Sequence, residues 1–144
     1  MAETTGISEP TGMCWQGNTL YIAESGQNRI ISLQDGQTTV IAGSGEVGHA
    51  DGSADEATCS SPQSVTVGSD GTIYMADTDN SAVRIVKDGQ VTTLYARDVK
   101  DLEAFYPVSP AGMLIAKDGP YVCDPFARTL LLLRCKKTKI HPLV

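Results

Sequence analysis

The sequence predicts an all-β protein assembled from short antiparallel strands. Three observations predict this class: strand-length runs of β-branched and aromatic residues, turn-forming residues between those runs, and a pattern that recurs along the chain. The chain has 144 residues, of which 41% are hydrophobic and 19% are charged, a balance that can build a packed core. Because this length suits one domain, we expect residues 1–144 to form a single domain.

The clearest element is a hairpin that begins at the turn pair Asp70-Gly71. A strand follows from Thr72 to Ala76, a polar turn from Asp77 to Asn80 reverses the chain, and a second strand runs from Ala82 to Lys87. The same order of strands and turns occurs three times. The predicted strands are 13–15, 19–23, 29–33 and 37–42, then 64–67, 72–76, 82–87 and 90–95, then 112–116, 121–123 and 129–135, with a weak fourth near 139–141.

Two sets of residues mark the period of this repeat. The prolines Pro10, Pro62 and Pro110 lie 52 and 48 residues apart. The tyrosines, which we expect in the core rather than at a contact surface, lie 53 and 47 residues apart: Tyr21, Tyr74 and Tyr121. A period near 50 residues with four short strands per unit is typical of propeller blades. The expected units are about 10–61, 62–109 and 110–144, with longer insertions at 43–61 and 97–109.

The repeated residues resemble the NHL repeat, in which a Tyr-Val-Ala-Asp-like strand precedes a polar turn and an Arg-Ile-rich strand. The matching stretches are Ile73 to Asn80 followed by Val83-Arg84-Ile85, Leu20 to Gly26 followed by Asn28-Arg29-Ile30, and Tyr121 to Asp124. The third unit departs from the pattern, because Pro125-Phe126 replaces the Gly turn. The resemblance covers about residues 10 to 135 and implies a β-propeller of NHL-like four-stranded blades, three per chain.

Acidic residues end the second strand of each unit, at Glu24, Asp77 and Asp124. Three equivalent carboxylates are compatible with a metal ring, but each is better explained as an acceptor for backbone N–H groups of its own turn. Asn28 and Asn80 are expected to help form the same turns, since Asn tolerates positive φ. We therefore assign these five residues as structural turn residues. The arginines of the repeat, Arg29 and Arg84, are expected along the blade surfaces.

No catalytic, cofactor-binding or metal-binding residue is predicted. NHL-type amidating lyases, which the chain resembles in repeat pattern, need several His ligands, whereas this sequence has only His49 and His141. The stretch Asp51 to Glu56 admits a calcium site, but a solvated acidic loop is the preferred interpretation. Residues 43–48 formally match G-x-G-x-x-G, yet no helix pattern follows, so dinucleotide binding is not expected. Nucleophile and phosphate-loop motifs are not found either.

The net charge, the lengths of the apolar runs and the cysteines limit which partners and which cellular compartment are expected. The net charge of −6 disfavours nucleic-acid binding, and the basic run from Arg134 to Lys139 is interpreted as a solubilising edge. No apolar run reaches the ~18 residues of a membrane span. The four cysteines form no C-x-x-C pair and are expected as buried or half-buried free thiols, with a disulfide as the alternative in an exported protein: Cys14, Cys59, Cys123 and Cys135. The localisation stays open: cytoplasmic as written, secreted or cell-surface if a leader has been removed.

A closed propeller needs roughly four to eight blades, and this chain supplies three. Each terminal blade would leave a face of ~300 Å² in plan uncovered, and two arcs together would bury on the order of 1,200 Å² by pairing. We therefore expect a homodimer in which terminal blades of two chains close a six-bladed ring. The expected function is a non-enzymatic scaffold that binds a protein or small molecule at the rim or channel. The alternatives are a metal-dependent propeller lyase or hydrolase with a channel site, and a structural fragment of a larger secreted NHL-repeat protein.

Overall fold

The described part of the computed structural model, residues 6–96, 109–133 and 141–142, forms three antiparallel sheets that follow one another along the chain. Sheet 1 contains β1 (Pro10–Gln16), β2 (Thr19–Glu24), β3 (Arg29–Gln34) and β4 (Gln37–Ala42), paired in that order. Sheet 2 contains β6 (Pro62–Val67), β7 (Ile73–Asp77), β8 (Ala82–Lys87) and β9 (Gln90–Ala96), with β5 (Gly52–Ser53) added beside β9. Sheet 3 contains β10 (Gly112–Ala116), β11 (Gly119–Asp124), β12 (Thr129–Leu132) and β13 (His141–Pro142). The predicted all-β class is confirmed.

The strands form where β-branched and apolar residues alternate with polar ones between Gly, Asn and Asp turns. Two hairpin turns that close outer strands place Asp35 and Asp88 at φ of 51° and 50°, each followed by a glycine of positive φ. This is the pattern of a type I′ turn, whose twist matches that of the flanking strands. The basic run from Arg134 to Lys139 and most of the insertion at 97–109 lie outside the described residues.

The strand β5 was not predicted from the sequence. It lies inside the long insertion 43–61 and pairs with the outer edge of sheet 2, with Gly52 opposite Val91 and Ser53 opposite Gln90. The insertion is also tied back to the end of β4, because Gly43 and Ser44 donate their N–H groups to the carbonyl oxygens of Ala54 and Ala57. Most of this loop is therefore held between sheets 1 and 2 rather than projecting into solvent.

The first strands of the sheets are neighbours, since β6 packs against both β1 and β10. Gly12 allows a close approach here: a Cβ at this position would lie 2.5 Å from the carbonyl oxygen of Gln63 and 2.8 Å from the Cα of Ser64. On the other side of β6, the hydroxyl of Ser64 accepts the N–H of Met113 at 3.1 Å. These contacts stack the three sheets in chain order with β6 in the middle.

The two interfaces between sheets hold the two apolar cores. The larger core lies between sheets 1 and 2 and contains residues of both sheets and of the insertion: Ala23, Ile30, Ala42, Ala57, Cys59, Val65, Val67, Ile73, Met75, Val86 and Val91, with Tyr21 packed against them. The smaller core lies between sheets 2 and 3 and contains Val83, Val122, Leu131 and Leu133, with Leu94, Tyr95 and Met113 packed against them.

The outward faces of sheets 1 and 3 carry exposed apolar side chains. Because side chains alternate along a strand, Met13 and Trp15 point away from the face of β1 that meets sheet 2, and they are 69% and 64% exposed. Ile22 and Ile31 lie across from Met13 on the same outward face and are buried, so the chain itself covers part of this face and leaves the side chains of β1 exposed. On sheet 3, Leu114 lies on the face away from sheet 2 and is 64% exposed. Each end of the stack therefore presents apolar surface.

Across residues 6–96, 109–133 and 141–142, no helix has the length and apolar character needed to cross a bilayer.

Candidate functional site

The carboxylates at the ends of the second strands make one repeated contact. Each accepts a hydrogen bond from the backbone N–H of a serine that lies just before the first strand of the same sheet. The pairs are Ser8 with Glu24 Oε1 at 2.8 Å, Ser60 with Asp77 Oδ1 at 2.7 Å, and Ser109 with Asp124 Oδ2 at 3.0 Å. All three carboxylates are buried. Each one therefore fixes the segment that enters its own sheet.

The expected partner of these carboxylates was the N–H of the following turn. This is correct for Asp124, whose second oxygen accepts the N–H of Ala127 at 2.8 Å. It is wrong for Glu24 and Asp77, which precede 3₁₀ turns at residues 25–27 and 78–80 without capping them by their side chains. Their second oxygens accept hydrogen bonds from arginine instead, at 2.6 Å from Arg29 Nε to Glu24 and 3.0 Å from Arg84 Nη1 to Asp77.

The two turn asparagines bind the long insertion. Asn28 lies in the left-handed region at φ 51°, donates to the carbonyl of Gly45 at 3.4 Å and accepts the N–H of Ser61 at 2.9 Å. Asn80 donates to the carbonyl of Gly48 at 2.7 Å and to Asp77 at 2.8 Å. The left-handed position of the second sheet is taken by Ser81 rather than by Asn80. Both asparagines thus join a turn to residues 43–61.

Arg84 is the most unexpected side chain of the structure, because it is 1% exposed instead of lying on a surface. Its guanidinium is placed between Asp77 and Asp51, with Nη2 at 2.9 Å from Asp51 Oδ1. It also donates to the carbonyl oxygens of Thr58 at 2.5 Å and Ala50 at 2.6 Å. The expectation that Arg84 lies along a surface is therefore wrong. The buried guanidinium of Arg84 therefore joins β8 to the insertion.

Arg29 and Arg84 are also not equivalent positions, although the sequence pattern aligned them. In the register, Arg29 is opposite Glu24, whereas the residue opposite Asp77 is Ala82. The side chain of Arg29 is 31% exposed and that of Glu24 is fully buried. The two sheets therefore neutralise equivalent buried carboxylates with arginines from different places on the third strand.

The acidic insertion is only partly solvated. Asp51 accepts the N–H and the hydroxyl of Thr93 at 2.9 and 2.8 Å in addition to its ion pair with Arg84. Partial burial works to raise the pKa of Asp51, but the hydrogen bonds from Thr93 and the charge of Arg84 outweigh it and lower that pKa below its ordinary value. Asp55 and Glu56 are exposed, as a solvated loop predicts.

The described cysteines occupy three different environments and are free thiols. Cys59 is buried near Met75 in the larger core, Cys14 is half-buried, and Cys123 is exposed, which differs from the expected burial. Burial raises the pKa of Cys59 to about 12; the charge of Asp77 adds to this and the charge of Arg84 opposes it. Cys59 is therefore protonated and packed as an apolar group. Cys135 lies outside the described residues.

The described residues offer no grouping of three or more His, Cys, Asp or Glu side chains that would hold a metal ion. His49 is exposed in the insertion, and only the backbone of His141 is described. The three strand-end carboxylates each serve their own sheet through the contacts given above. Together these contacts tie each entering segment to its own sheet.

The surface recesses among the described residues include one on sheet 3 and one on sheet 1. A shallow, open cavity of about 290 Å³ lies on the outward side of sheet 3 and is lined by Cys123, Asp124, Pro125, Arg128, Thr129 and Leu130. A second recess, of about 430 Å³, lies at the hairpin of β3 and β4 and is lined by polar side chains: Ser32, Gln34, Asp35, Gln37 and Thr39. The first adjoins the exposed apolar face of sheet 3, and the second is a polar groove at the outer edge of sheet 1.

Comparison with known proteins identifies the class of fold. One chain of a solved nidogen–laminin complex superposes with a TM-score of 0.72 and 16% identity, over 96% of this chain and 49% of that chain. Virginiamycin B lyase from Staphylococcus aureus superposes with a TM-score of 0.64 and 15% identity, over 92% of this chain and 40% of that chain. These similar structures are β-propellers, and the fold of this chain is therefore of the β-propeller class.

The sequence comparisons are less specific. The chain matches no protein-family model. It is 28% identical over 102 residues to the chloroplastic protein SUPPRESSOR OF QUENCHING 1 of Arabidopsis thaliana, a match that covers 65% of this chain and 10% of that protein. The chain thus spans a tenth of this curated relative and less than half of the two solved structures.

Proposed function

We propose that this protein is a non-enzymatic β-propeller scaffold whose three sheets are NHL-like blades, with unit boundaries near 10–61, 62–109 and 110–144. Two such chains close one six-bladed ring, and the loops on its rim bind a protein or small-molecule partner. The observation that carries the proposal is the exposed apolar surface at both ends of the stack, on Met13 and Trp15 of sheet 1 and on Leu114 of sheet 3. In a closed propeller both faces of every blade are covered by the two neighbouring blades.

The area that pairing would bury favours association of two chains. Pairing all four terminal faces of two chains would bury on the order of 1,200 Å², the lower end of what a specific protein interface uses. At ~25 cal/mol per Å² this is up to about 30 kcal/mol before the costs of association. A second half of similar construction is therefore the fitting partner.

The binding surface is proposed on the rim that carries the 3₁₀ turns and the long insertion. The insertion is fixed there by Asn28 and Asn80, so its exposed residues are presented on a rigid support. Val47, whose backbone bridges to Cys59 within the insertion, is 74% exposed, and Phe126, in the turn after β11, is 76% exposed. Apolar side chains held on such a rim suit contact with a protein partner better than chemistry on a substrate.

Light scattering coupled to size exclusion tests the ring directly. We expect a single species of twice the chain mass at micromolar concentration, and a shift towards the monomer for Trp15→Lys and Leu114→Lys. Val47→Lys is the matched control, because it replaces an equally exposed apolar side chain away from the terminal faces. A clean, stable monomer of the unaltered chain would overturn the proposal. A polydisperse aggregate would favour the alternative that this is part of a longer propeller.

The similarity to a lyase supports a second candidate, a metal-dependent propeller lyase or hydrolase. This activity would require a metal site completed by residues beyond those described or by the second chain. Metal analysis of the purified protein separates the two candidates, since stoichiometric calcium or zinc favours the enzyme and metal-free protein that still binds a partner favours the scaffold.

A further inference from the structure

The cavity on the outward side of sheet 3 has a counterpart inside the molecule. Asp124 is opposite Thr129 in sheet 3 as Glu24 is opposite Arg29 in sheet 1, so the pair Cys123 and Leu130 occupies the place of Ala23 and Ile30. In sheet 1 this place is filled. Ala23 and Ile30 share the larger core with Ala57 and Cys59, which belong to the segment that leads into sheet 2. In sheet 3 the same place is an open cavity.

The residue that would fill this cavity follows from the repeated serine contact. Ser60 and Ser8 hold the same position, because each donates its N–H to the carboxylate that ends the second strand of its own sheet. The residue before Ser60 is the buried Cys59, and the residue before Ser8 is Ile7. In the ring proposed above, the sheet that follows sheet 3 would be sheet 1 of another copy, and Ile7 of that copy would then take the place of Cys59.

The neighbouring positions add a charge argument. Ser61 donates its N–H to Asn28, the left-handed residue of the turn in sheet 1. The residue in the place of Ser61 is Glu9, and the left-handed residue of the turn in sheet 3 is Arg128, at φ 56°. Both Glu9 and Arg128 are exposed, and Arg128 lines the cavity. The segment that enters sheet 1 and the turn of sheet 3 thus carry opposite charges at positions that meet when the repeat is continued.

We propose that the cavity on sheet 3 is the socket for a second copy of this chain, receiving Ile7 of that copy and pairing Arg128 with Glu9 of that copy. This inference rests on the proposed ring and specifies its register and its direction, from sheet 3 of one chain to sheet 1 of the next. By symmetry the contact occurs twice in a closed pair. The apolar lining suits the isoleucine side chain, and the ion pair at its edge selects the partner by charge.

Charge reversal tests this register. Glu9→Arg and Arg128→Glu each place like charges together, and each should weaken the dimer at least about tenfold in sedimentation velocity. The double variant E9R/R128E restores opposite charges and should recover most of the affinity. The controls Glu46→Arg and Lys117→Glu make the same charge changes at exposed residues away from the cavity and should leave the dimer unchanged. Ile7→Asp should also weaken the dimer, and circular dichroism checks that every variant is folded.

The outcomes separate the two proposals. If the unaltered chain does not dimerise, the ring itself is wrong. If it dimerises and the two charge reversals have no more effect than their controls, the ring stands and the socket is wrong. If both single variants dissociate but the double variant does not recover, Glu9 and Arg128 are not partners, and the proposed register is overturned.

Discussion

At the residue scale, the buried cation Arg84 determines how sheet 2 is joined to the insertion. It neutralises Asp77, which is fully buried, and satisfies two backbone carbonyl groups. Arg84→Ala would leave Asp77 charged and unpaired, so we expect a loss of about 3 to 5 kcal/mol in the free energy of unfolding. Urea denaturation followed by tryptophan fluorescence measures it.

The matched control for Arg84 is Lys87. Its Nζ lies 3.6 Å from Asp70 Oδ2, and both side chains are exposed. Lys87→Ala should change the free energy of unfolding by less than about 1 kcal/mol, as is usual for surface ion pairs. Equal effects of the two substitutions would contradict the assignment of Arg84 as the structural cation. Arg29→Ala should fall between them, because Arg29 is partly exposed while its partner Glu24 is buried.

Protonation of Asp51 is expected to make the free energy of unfolding fall at acid pH. Its pKa is lowered in the folded state, so the unfolded state binds more protons between the two pKa values. The stabilisation is therefore complete above the unfolded pKa of about 3.9 and is lost as the pH falls through the folded value. We expect the difference in unfolding midpoint between the parent chain and Asp51→Asn to be constant near neutral pH and to shrink below about pH 4.

Thr93→Val serves as the comparison for Asp51→Asn, because it removes one of the hydrogen bonds to the carboxylate and leaves the charge in place. It should produce a smaller difference in the same pH range. A difference for Asp51→Asn that persists unchanged to pH 2 would show that the carboxylate acts by its shape and not by its ionisation.

The burial of Arg84 was not predictable from the residue itself. A charged residue is almost always solvated unless it is paired, and the partner Asp51 lies 33 residues earlier in an insertion of unspecified path. The sequence did place a carboxylate at the end of each second strand correctly. The donor to each carboxylate, a serine just before the first strand, was not predicted. Any non-proline residue has a backbone N–H, so the sequence does not mark this contact.

At the element scale, strands and turns were predicted well, since local turn chemistry marks them. The turn pairs Asp35-Gly36 and Asp88-Gly89 end their strands where expected, and both asparagine-containing turns reverse the chain. The short strand β5 was missed because two residues with a glycine carry no strand pattern. It exists because the edge of β9 offers unpaired backbone groups that the insertion can reach.

The close stacking of β1 on β6 depends on the missing side chain of Gly12. Gly12→Ala would place a Cβ at 2.5 Å from a backbone oxygen, which forces the two strands apart. We expect a loss of about 1 to 3 kcal/mol in the free energy of unfolding, the usual cost of overpacking. Gly112→Ala is the control at the start of β10, where the nearest atom of the chain, the Cβ of Cys123, is 3.6 Å away. A neutral Gly12→Ala would mean that the sheets can separate freely.

At the scale of the whole molecule, the period of the sequence was sufficient to predict the propeller class. The strand order within each sheet and the packing of first strands on one another both follow from it. The sequence did not predict which residues outside the strands fill the space between neighbouring sheets. The insertion fills the space between sheets 1 and 2 with Ala57 and Cys59, neither of which belongs to the repeated pattern. The cavity on sheet 3 lies at the place equivalent to the one that these residues occupy between sheets 1 and 2.

Two cysteines at different sheet faces give the last prediction, because Cys59 is buried in the core between sheets 1 and 2 and Cys123 lines the open cavity on sheet 3. Cys123 is exposed on the outward face of sheet 3, so it should react rapidly with a thiol reagent in dilute solution. Its rate should fall as the concentration rises and a second copy covers the cavity. Cys59 should stay unreactive until the protein unfolds, since it is buried and its pKa is raised to about 12. Peptide mass spectrometry measures each cysteine separately, and Arg128→Glu supplies the monomeric reference. A rate at Cys123 that does not depend on concentration, in a chain that is shown to dimerise, would place the interface on another face.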